Sequence, residues 1–483
     1  MIHRIAVAIA LLACAAPAGA QVPTPTIDGP ITSPGSAFVA STTFDLGQVG
    51  YRQDEYFLSG TATAYTSATA LTPDGAWSVT PGDTAAYKTR ILVNRPIDPK
   101  TFNGTVVVEW LNVSGGLDSS PDWLLGHVEL IRDGFVWVGL SAQKVGIDGG
   151  LSLGIVDLPL KKANPARYAS LVHPGDSFSY DMLSQTAQVV RDPSGPLGDL
   201  KVKKVIAAGE SQSAFRMVTY VNGVHPLAHV YDGFFVHSRG SGGSYGAPLS
   251  QDPQSIIPVP SPTFIRSDID VPVLTFETET DLTFLDFFPA RQEDTRKIRT
   301  WEVAGTSHAD AYTLLGGMTD VGTSPDIVEL VVNAAPLPPF ISCNAPINSG
   351  PHHFVVNAAF SALNRWVRRG KAPRSAPGLD VAAGPPAAIN TDANGNALGG
   401  IRTPAVDVPI ATFGGLGSGS ITCTLFGSTV PFDAAKLASL YPTHKTFVKA
   451  YNKALKRSVR AGWILKPDAK LMKQWAEAST IGG

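Results

Sequence analysis

The chain of 483 residues has little cysteine, little charge and few long apolar stretches. It contains three cysteines, and 16% of its residues are charged, with a formal net charge of −2. Nucleic acid is not expected as a partner, because no basic surface is available to displace counterions from a phosphate backbone. After the first twenty residues no stretch reaches the roughly 20 apolar residues of a membrane-spanning helix, so no transmembrane segment is predicted.

The scarcity of cysteine also limits metal chemistry. There is no Cys-x-x-Cys pair, and His352 and His353 are adjacent rather than four residues apart, so no metal and no cofactor is predicted. With Cys14 in the N-terminal segment, Cys343 and Cys423 remain. In an oxidising compartment these two are predicted to form a disulfide, the alternative being two buried thiols.

The N-terminal residues 1–20 have the features of a signal peptide. A basic start precedes an apolar run, and Ala18-Gly19-Ala20 fits a signal-peptidase site. Cleavage after Ala20 predicts an exported protein, periplasmic or secreted. The alternative is lipoprotein processing, which would leave a lipid anchor on Cys14.

Glycine and proline are abundant, with 47 and 38 residues, and short apolar runs alternate with helical patterns. Runs with alternating polarity predict antiparallel strands at Phe57–Thr66 and Tyr87–Asn94. Runs that are more uniformly apolar than these predict strands that are covered on both faces. These runs are Val106–Leu111, Val136–Leu140, Val202–Ala207, Val230–Val236, Val271–Phe276 and Thr300–Val303.

Helices are predicted between these strands, at Trp123–Arg132, Ser179–Arg191 and Ser213–Val221. Strands that alternate with helices predict an α/β fold with a mostly parallel central sheet and helices on both faces. Long insertions are expected at the rim of the sheet, at Gly146–Asp176, Arg239–Asp270 and Ala309–Pro351.

The C-terminal part of the chain has a different pattern. A linker-like entry at 21–36 and a core of about residues 40–375 precede a mainly helical extension of about residues 376–483. The core ends with a predicted helix at Phe354–Arg369. The helices of the extension are predicted near Asp433–Leu440, His444–Ala461 and Pro467–Ala478.

Ser211 has the sequence setting of a nucleophile. A serine needs a base to take its proton and N–H donors to stabilise the oxyanion that forms. In a nucleophile elbow the serine lies on a strained turn between a buried strand and a helix, flanked by small residues. The strand Val202–Ala208, the small Gly209 and the helix Ala214–Val221 supply this setting, although Ser213 stands where glycine is usual.

A second segment, Gly242–Gly246, matches the Gly-x-Ser-x-Gly pattern more closely, with Ser244 at its centre. Neither a predicted strand nor a predicted helix flanks it. Ser244 is therefore predicted to be a loop serine, because a nucleophile elbow requires a strand before the serine and a helix after it as well as the sequence pattern.

The acid and the base are expected at the ends of later strands, in the order serine, acid, histidine. The strand Val271–Phe276 leads into three carboxylates, of which Asp281 is the predicted acid and Glu279 the alternative. The non-catalytic interpretation is a solvated acidic turn. The strand Thr300–Val303 leads to His308, the predicted base.

The oxyanion hole is predicted to combine the backbone N–H of Gln212 with one from the glycine-rich loop Asn112–Gly116, donated by Val113 or Ser114. An ordinary glycine-rich turn is the alternative. The whole set predicts a serine hydrolase acting through an acyl-enzyme on a small-molecule or polymeric carboxylic ester. A serine peptidase or amidase, or a binding protein without turnover, are the alternatives.

Several segments together resemble the bacterial exported "alpha/beta hydrolase domain" family. They include Ile206–Ser213, Tyr231–Phe234, Glu277–Asp281, Ala304–His308, Gly399–Pro404 and Phe426–Ser428. The resemblance implies an α/β-hydrolase fold with Ser211, Asp281 and His308 as the matching triad. It also implies that residues 21–483 form one unit that includes the C-terminal extension. It implies no substrate, because this fold hosts many chemistries.

Overall fold

The computed structural model describes residues 22–243, 246–332, 342–384 and 386–483. The predicted signal peptide with Cys14, and the rival serine Ser244, lie outside these ranges. The strands are β1 (Thr26–Asp28), β2 (Tyr51–Thr66), β3 (Thr80–Pro96), β4 (Thr105–Trp110), β5 (Val136–Leu140), β6 (Lys204–Glu210), β7 (Gly233–His237), β8 (Val273–Thr278), β9 (Ile298–Val303), β10 (Val381–Ala382), β11 (Ala388–Ile389), β12 (Ala411–Gly414) and β13 (Ser428–Pro431).

Helices lie between the strands of the sheet and dominate the C-terminal part. They are α1 (Pro121–Arg132), α2 (Lys144–Asp148), α3 (Leu160–Ala163), α4 (Pro165–Tyr168), α5 (Ser179–Arg191), α6 (Gln212–Thr219), α7 (His225–Ala228), α8 (Glu279–Thr283), α9 (Gly317–Thr319), α10 (His352–Arg369), α11 (Pro404–Asp407), α12 (Ile421–Phe426), α13 (Ala434–Leu440), α14 (His444–Ala461) and α15 (Lys466–Ala478).

Within the described residues the main sheet has nine strands in the order β1-β2-β3-β5-β4-β6-β7-β8-β9. The pairs from β1 to β3, and the pair β3–β5, are antiparallel, and the pairs from β5 through β9 are parallel. In the centre, Val108 of β4 lies beside Val138 of β5 and Ala207 of β6. The predicted mostly parallel sheet is confirmed.

Both faces of the sheet are covered, since alternate residues of a strand point to opposite sides. Val108 belongs to a core with Met182 of α5, whereas its neighbour Val107 belongs to a second core with Leu125 of α1 and Phe360 of α10. This two-sided burial explains why the central strands are uniformly apolar rather than alternating.

The C-terminal extension packs on the second of these cores. Phe447 and Tyr451 of α14 and Met472 of α15 belong to the same apolar cluster as Phe354 of α10. The predicted helical extension is therefore present, and it covers the helical layer. The sequence did not predict β1 in the linker-like entry, or β10–β13, because strands of two to four residues show no clear periodicity.

Cys343 and Cys423 form a disulfide, with Cα atoms 5.5 Å apart. The predicted pairing is therefore present, and it joins the loop before α10 to α12 of the extension. Of the helices in the described ranges, none combines the length and the apolar character that crossing a bilayer requires.

Candidate active site

Ser211 lies at the sharp turn between β6 and α6, with φ 58° and ψ −125°. A residue with a side chain is strained by about 1–3 kcal/mol in such a region, so the surroundings must hold it. Its N–H donates to the carbonyl of His237 at 2.9 Å, and its own carbonyl accepts from Ala214 at 2.8 Å. A Cβ at Gly209 would lie 2.8 Å from the Ser213 carbonyl oxygen, which explains why glycine is the second-last residue of β6.

The side chains of Ser211, His308 and Asp281 form a continuous chain. Ser211 Oγ lies 2.8 Å from His308 Nε2, and His308 Nδ1 lies 2.7 Å from Asp281 Oδ1. Because a carboxylate accepts, Nδ1 carries the proton and the Nε2 lone pair faces the serine hydroxyl. The three residues follow β6, β9 and β8, so the parallel sheet brings together the strand ends that the sequence analysis identified.

Charges around the histidine favour its protonated form. Burial alone would lower the pKa of His308, but the carboxylates of Glu210 and Asp281 outweigh it, and the pKa is raised. Burial opposes the ionisation of Asp281, but the interaction with His308 and hydrogen bonds from Thr278 hold its pKa below the usual value. An ionised carboxylate therefore faces a ring that readily accepts a proton.

Asp281 and Glu279 share the short helix α8 but face different partners. Asp281 Oδ2 accepts from the Thr278 backbone and hydroxyl, each at 2.7 Å, in a capping box. Glu279 instead accepts from the backbone N–H groups of Gly305 at 2.6 Å and Gly415 at 3.1 Å. Burial raises the pKa of Glu279 to about 7. Of the two carboxyl groups, Asp281 is the one that contacts the histidine.

The two predicted oxyanion donors of the loop after β4 differ in availability. The N–H of Ser114 donates to Asn112 Oδ1 at 2.8 Å, whereas the N–H of Val113 has no acceptor among the described residues. Gln212 opens α6, where the first N–H groups of a helix have no intrahelical acceptor. Val113 and Gln212 are therefore the free backbone donors of the predicted set.

Glu210 is a site residue that the sequence analysis missed. Its Oε1 lies 3.4 Å from His308 Nε2, and its Oε2 accepts from Asn112 Nδ2 at 3.1 Å. The residue is 5% exposed, and burial raises its pKa to about 8. The available signal was an acidic side chain that ends the otherwise apolar strand β6 directly before the serine.

His237 and His352 lie near the site but do not face Ser211. His237 Nδ1 lies 2.8 Å from Asp122 Oδ1, and its Nε2 lies 2.9 Å from His352 Nε2. Burial lowers the pKa of His237 to about 3, so this ring is neutral. Both histidines are buried core residues.

One group of side chains has the composition of a metal site. Within the described ranges, His225, His229 and Asp270 bring potential ligand atoms within 4.8 Å of one another. These residues precede β7 and β8, at the edge of the sheet opposite Ser211. They form His–Asp pairs of 3.1 and 3.4 Å and take no part in the geometry around the serine.

Comparisons with solved structures find distant relatives. One is an α/β serine hydrolase without a lid from Xanthomonas campestris, 14% identical, with 50% of this chain and 86% of that chain covered and a TM-score of 0.27. Another is acetyl xylan esterase 1 from Thermoanaerobacterium sp., 11% identical, covering 57% and 81%, with a TM-score of 0.29. A fungal esterase structure from Rhizomucor miehei is 12% identical, covering 65% and 85%, with a TM-score of 0.29.

No curated protein sequence matches the chain. The family model described as "alpha/beta hydrolase domain", in contrast, matches residues 21–474. The match includes the elbow, the strand ends that carry Asp281 and His308, and nearly all of the C-terminal extension. The chain therefore has an α/β-hydrolase fold and belongs to the alpha/beta hydrolase domain family.

Proposed function

We propose that the protein is an exported serine hydrolase that cleaves carboxylic esters through an acyl-enzyme. The observation that carries the proposal is the unbroken contact from Ser211 Oγ to His308 Nε2, at 2.8 Å, and from His308 Nδ1 to Asp281, at 2.7 Å. Both contacts lie within hydrogen-bond reach, as a nucleophile, its base and the group that orients the base require.

In the first half of the reaction, His308 Nε2 takes the proton of the Ser211 hydroxyl as Oγ bonds to the ester carbonyl carbon. The ring becomes positively charged, and Asp281 stabilises this charge and holds the ring in place. The tetrahedral intermediate collapses when the bond to the alkoxy oxygen breaks. The proton held by His308 passes to that oxygen, and an alcohol leaves.

The developing oxyanion needs N–H donors that are already in position. The backbone N–H groups of Gln212 and Val113 are proposed for this role because both are free of other acceptors in the described part of the chain. In the second half of the reaction, water gives its proton to His308 and adds to the acyl carbon. Ser211 then regains a proton, and a carboxylic acid is released.

An ester is the proposed substrate because the alkoxy group of an ester needs less protonation to leave than the amine of an amide does. Amide hydrolysis by the same residues is the alternative, and p-nitrophenyl esters compared with p-nitroanilides of the same acyl groups separate the two. A clear preference for the esters, of two orders of magnitude or more in kcat/KM, supports an esterase. Comparable rates on the anilides would assign the protein to the amidases.

Export is proposed from the apolar segment before Ala20 and is consistent with the disulfide Cys343–Cys423, which persists in oxidising compartments. Expression of the full chain, followed by fractionation and mass measurement of the N-terminus, tests this part. A mature chain that begins at Gln21 supports cleavage after Ala20, and a lipid-modified Cys14 supports lipoprotein processing. An unprocessed chain in the cytoplasm would contradict export.

The nucleophile is tested directly with a fluorophosphonate probe, which reacts with activated serines. The wild-type protein and Ser244→Ala, the variant of the rival serine, are expected to be labelled equally, and Ser211→Ala not at all. Peptide mass spectrometry then locates the adduct. Absence of labelling in the folded wild type, or an adduct on another serine, would refute the proposal.

A further inference from the structure

A second carboxyl group, besides that of Asp281, lies beside the His308 ring. Besides Ser211 Oγ at 2.8 Å, His308 Nε2 has Glu210 Oε1 at 3.4 Å. Asp281 lies on the other side of the ring, at Nδ1. Glu210 is therefore an ionisable neighbour of the ring to which the arrangement of Ser211, His308 and Asp281 gives no role.

Glu210 is held from the side of the oxyanion loop. Asn112 Nδ2 donates to the carboxyl group of Glu210 at 3.1 Å and to its backbone carbonyl at 3.2 Å, while Asn112 Oδ1 accepts from the Ser114 N–H at 2.8 Å. One amide side chain therefore connects the glutamate to the backbone that carries the proposed donor Val113. A displacement of Glu210 would therefore alter the contacts of both the His308 ring and this loop.

The charged groups around Glu210 come from several elements. His308 faces it from the loop after β9, Asp281 from α8 and Asp122 from the first turn of α1. Asp122 in turn contacts His237 at the end of β7, whose ring is neutral. The two acids disfavour an ionised Glu210, and His308 is the cation that can favour it.

We infer that Glu210 is a positioning residue of this site: held by Asn112, its carboxyl group fixes the His308 ring beside Ser211 and stabilises the positive charge of the ring. The inference rests on the proposed function, because the ring becomes charged only if it takes the serine proton. A carboxylate beside the ring stabilises imidazolium whether the ring is at rest or in the transition state. The same residue therefore raises the reaction rate and raises the pH at which the resting base becomes neutral.

The direction of the pH effect follows from the charges. His308 acts as a base only when it is neutral, and the nearby carboxylates of Glu210 and Asp281 raise its pKa. Burial raises the pKa of Glu210 to about 8, so its charge is only partly present over the low-pH range where kcat/KM rises and is complete at the high-pH plateau. Without that charge, the ring loses its resting proton at lower pH. The variant Glu210→Gln should therefore reach half of its maximal kcat/KM at a lower pH than the wild type, by up to about one unit, while its maximal rate is lower.

The experiment measures the pH dependence of kcat and KM on p-nitrophenyl acetate for the wild-type protein, Glu210→Gln and Glu210→Asp. The Glu210→Gln variant keeps the shape of the side chain, and its amide oxygen still accepts from Asn112. We expect kcat at the high-pH plateau to fall about tenfold, since one pKa unit of lost stabilisation corresponds to that factor, with KM within about twofold. Glu210→Asp keeps the charge. It should leave the acid limb of the pH profile, which is the low-pH range over which kcat/KM rises, near that of the wild type.

Glu279→Gln is the matched control, because Glu279 is also buried near the site but contacts backbone N–H groups rather than the ring. Its acid limb is expected to coincide with that of the wild type. If the limb of Glu210→Gln also coincides with it, or if Glu279→Gln moves it equally, the inference is wrong. Fluorophosphonate labelling separates this failure from that of the proposed function: a wild type that is labelled at Ser211 keeps the function even if Glu210 has no such role.

Discussion

The two sides of the candidate site are held in different ways. On the nucleophile side, Ser211 is fixed by its neighbours in the sheet: its N–H donates to His237 of the adjacent strand β7 at 2.9 Å. Gly209 allows α6 to approach β6, since a Cβ there would lie 2.8 Å from the Ser213 carbonyl. Every element in these contacts belongs to the central sheet or to the helix that follows it.

On the acid and base side, the C-terminal extension supplies part of the contacts. Gly415 donates to Glu279 at 3.1 Å, and its carbonyl accepts from the Thr280 hydroxyl. The Ala309 N–H, next to the histidine, donates to the Leu425 carbonyl at 3.2 Å. The extension thus contacts both α8, which carries Asp281, and the loop that carries His308.

This difference gives the extension a role in the site as well as in the fold. The elbow is determined by residues close to one another in sequence, whereas the position of His308 depends on contacts that span 136 residues, as between Glu279 and Gly415. Changes in the extension should therefore affect the acid and base while the nucleophile turn stays formed.

The largest effect is expected from Asp281→Asn. The neutral amide can present its N–H to His308 and favour the wrong tautomer, so kcat should fall by about 10³- to 10⁴-fold. Glu279→Gln on the same helix leaves the His308 contact intact and should lower kcat by less than about tenfold. Kinetics on p-nitrophenyl acetate measure both variants. The reverse order of effects would assign the acid to Glu279.

The sequence predicted the nucleophile side better than the other side. Ser211 follows a long apolar run and precedes a helix, and both patterns are local. His308 and Asp281 were predicted from their places after β9 and β8, because parallel strands end at one edge of the sheet. The elements with strong periodicity, such as α5 and α14, have the predicted bounds.

The missed features depend on contacts between distant parts of the chain. The pairing of Glu279 with Gly415 joins residues whose local sequences show no sign of it. The hydrogen bond from the Ser114 N–H to Asn112 Oδ1 depends on the orientation of one side chain. Glu210 was missed because its proposed role depends on His308, which is distant in sequence and approaches it only through the sheet order.

The second largest effect is expected from removal of the disulfide, which should lower the stability of the acid and base side. The bond Cys343–Cys423 closes a loop with a sequence separation of 80 residues, and its loss typically costs about 2–4 kcal/mol in the free energy of unfolding. Urea unfolding of the double variant Cys343→Ser, Cys423→Ser measures this cost. Dithiothreitol should lower the midpoint of the wild type and leave that of the double variant unchanged. Equal midpoints for both proteins without reductant would show that the bond does not support this region.

A single methyl group at position 415 should have a smaller effect. In Gly415→Ala the new Cβ would lie 2.4 Å from the Cβ of Glu279 and 2.9 Å from the Thr280 nitrogen, so α8 must move. We expect about 1–3 kcal/mol less stability and a several-fold lower kcat, because Asp281 moves with α8. Gly384→Ala is the control in the same extension, since its Cβ would meet its nearest atom only at 3.6 Å. Full activity of Gly415→Ala would show that this contact of the extension does not position Asp281.

The smallest expected effect, about 1 kcal/mol for each pH unit, is a change in the pH dependence of stability caused by Glu279. Burial raises its pKa from the ordinary value of 4.5 to about 7, so between these values the folded protein holds a proton that the unfolded chain releases. Its contribution to stability is complete below pH 4.5 and is lost as the pH rises towards 7, at about 1 kcal/mol per unit. Unfolding of the wild type and of Glu279→Gln in urea at pH 5, 6 and 7 should give a shallower decline for the variant. Parallel declines would mean that Glu279 is ionised in the folded protein, and its two backbone N–H contacts would then stabilise a buried carboxylate on the acid and base side.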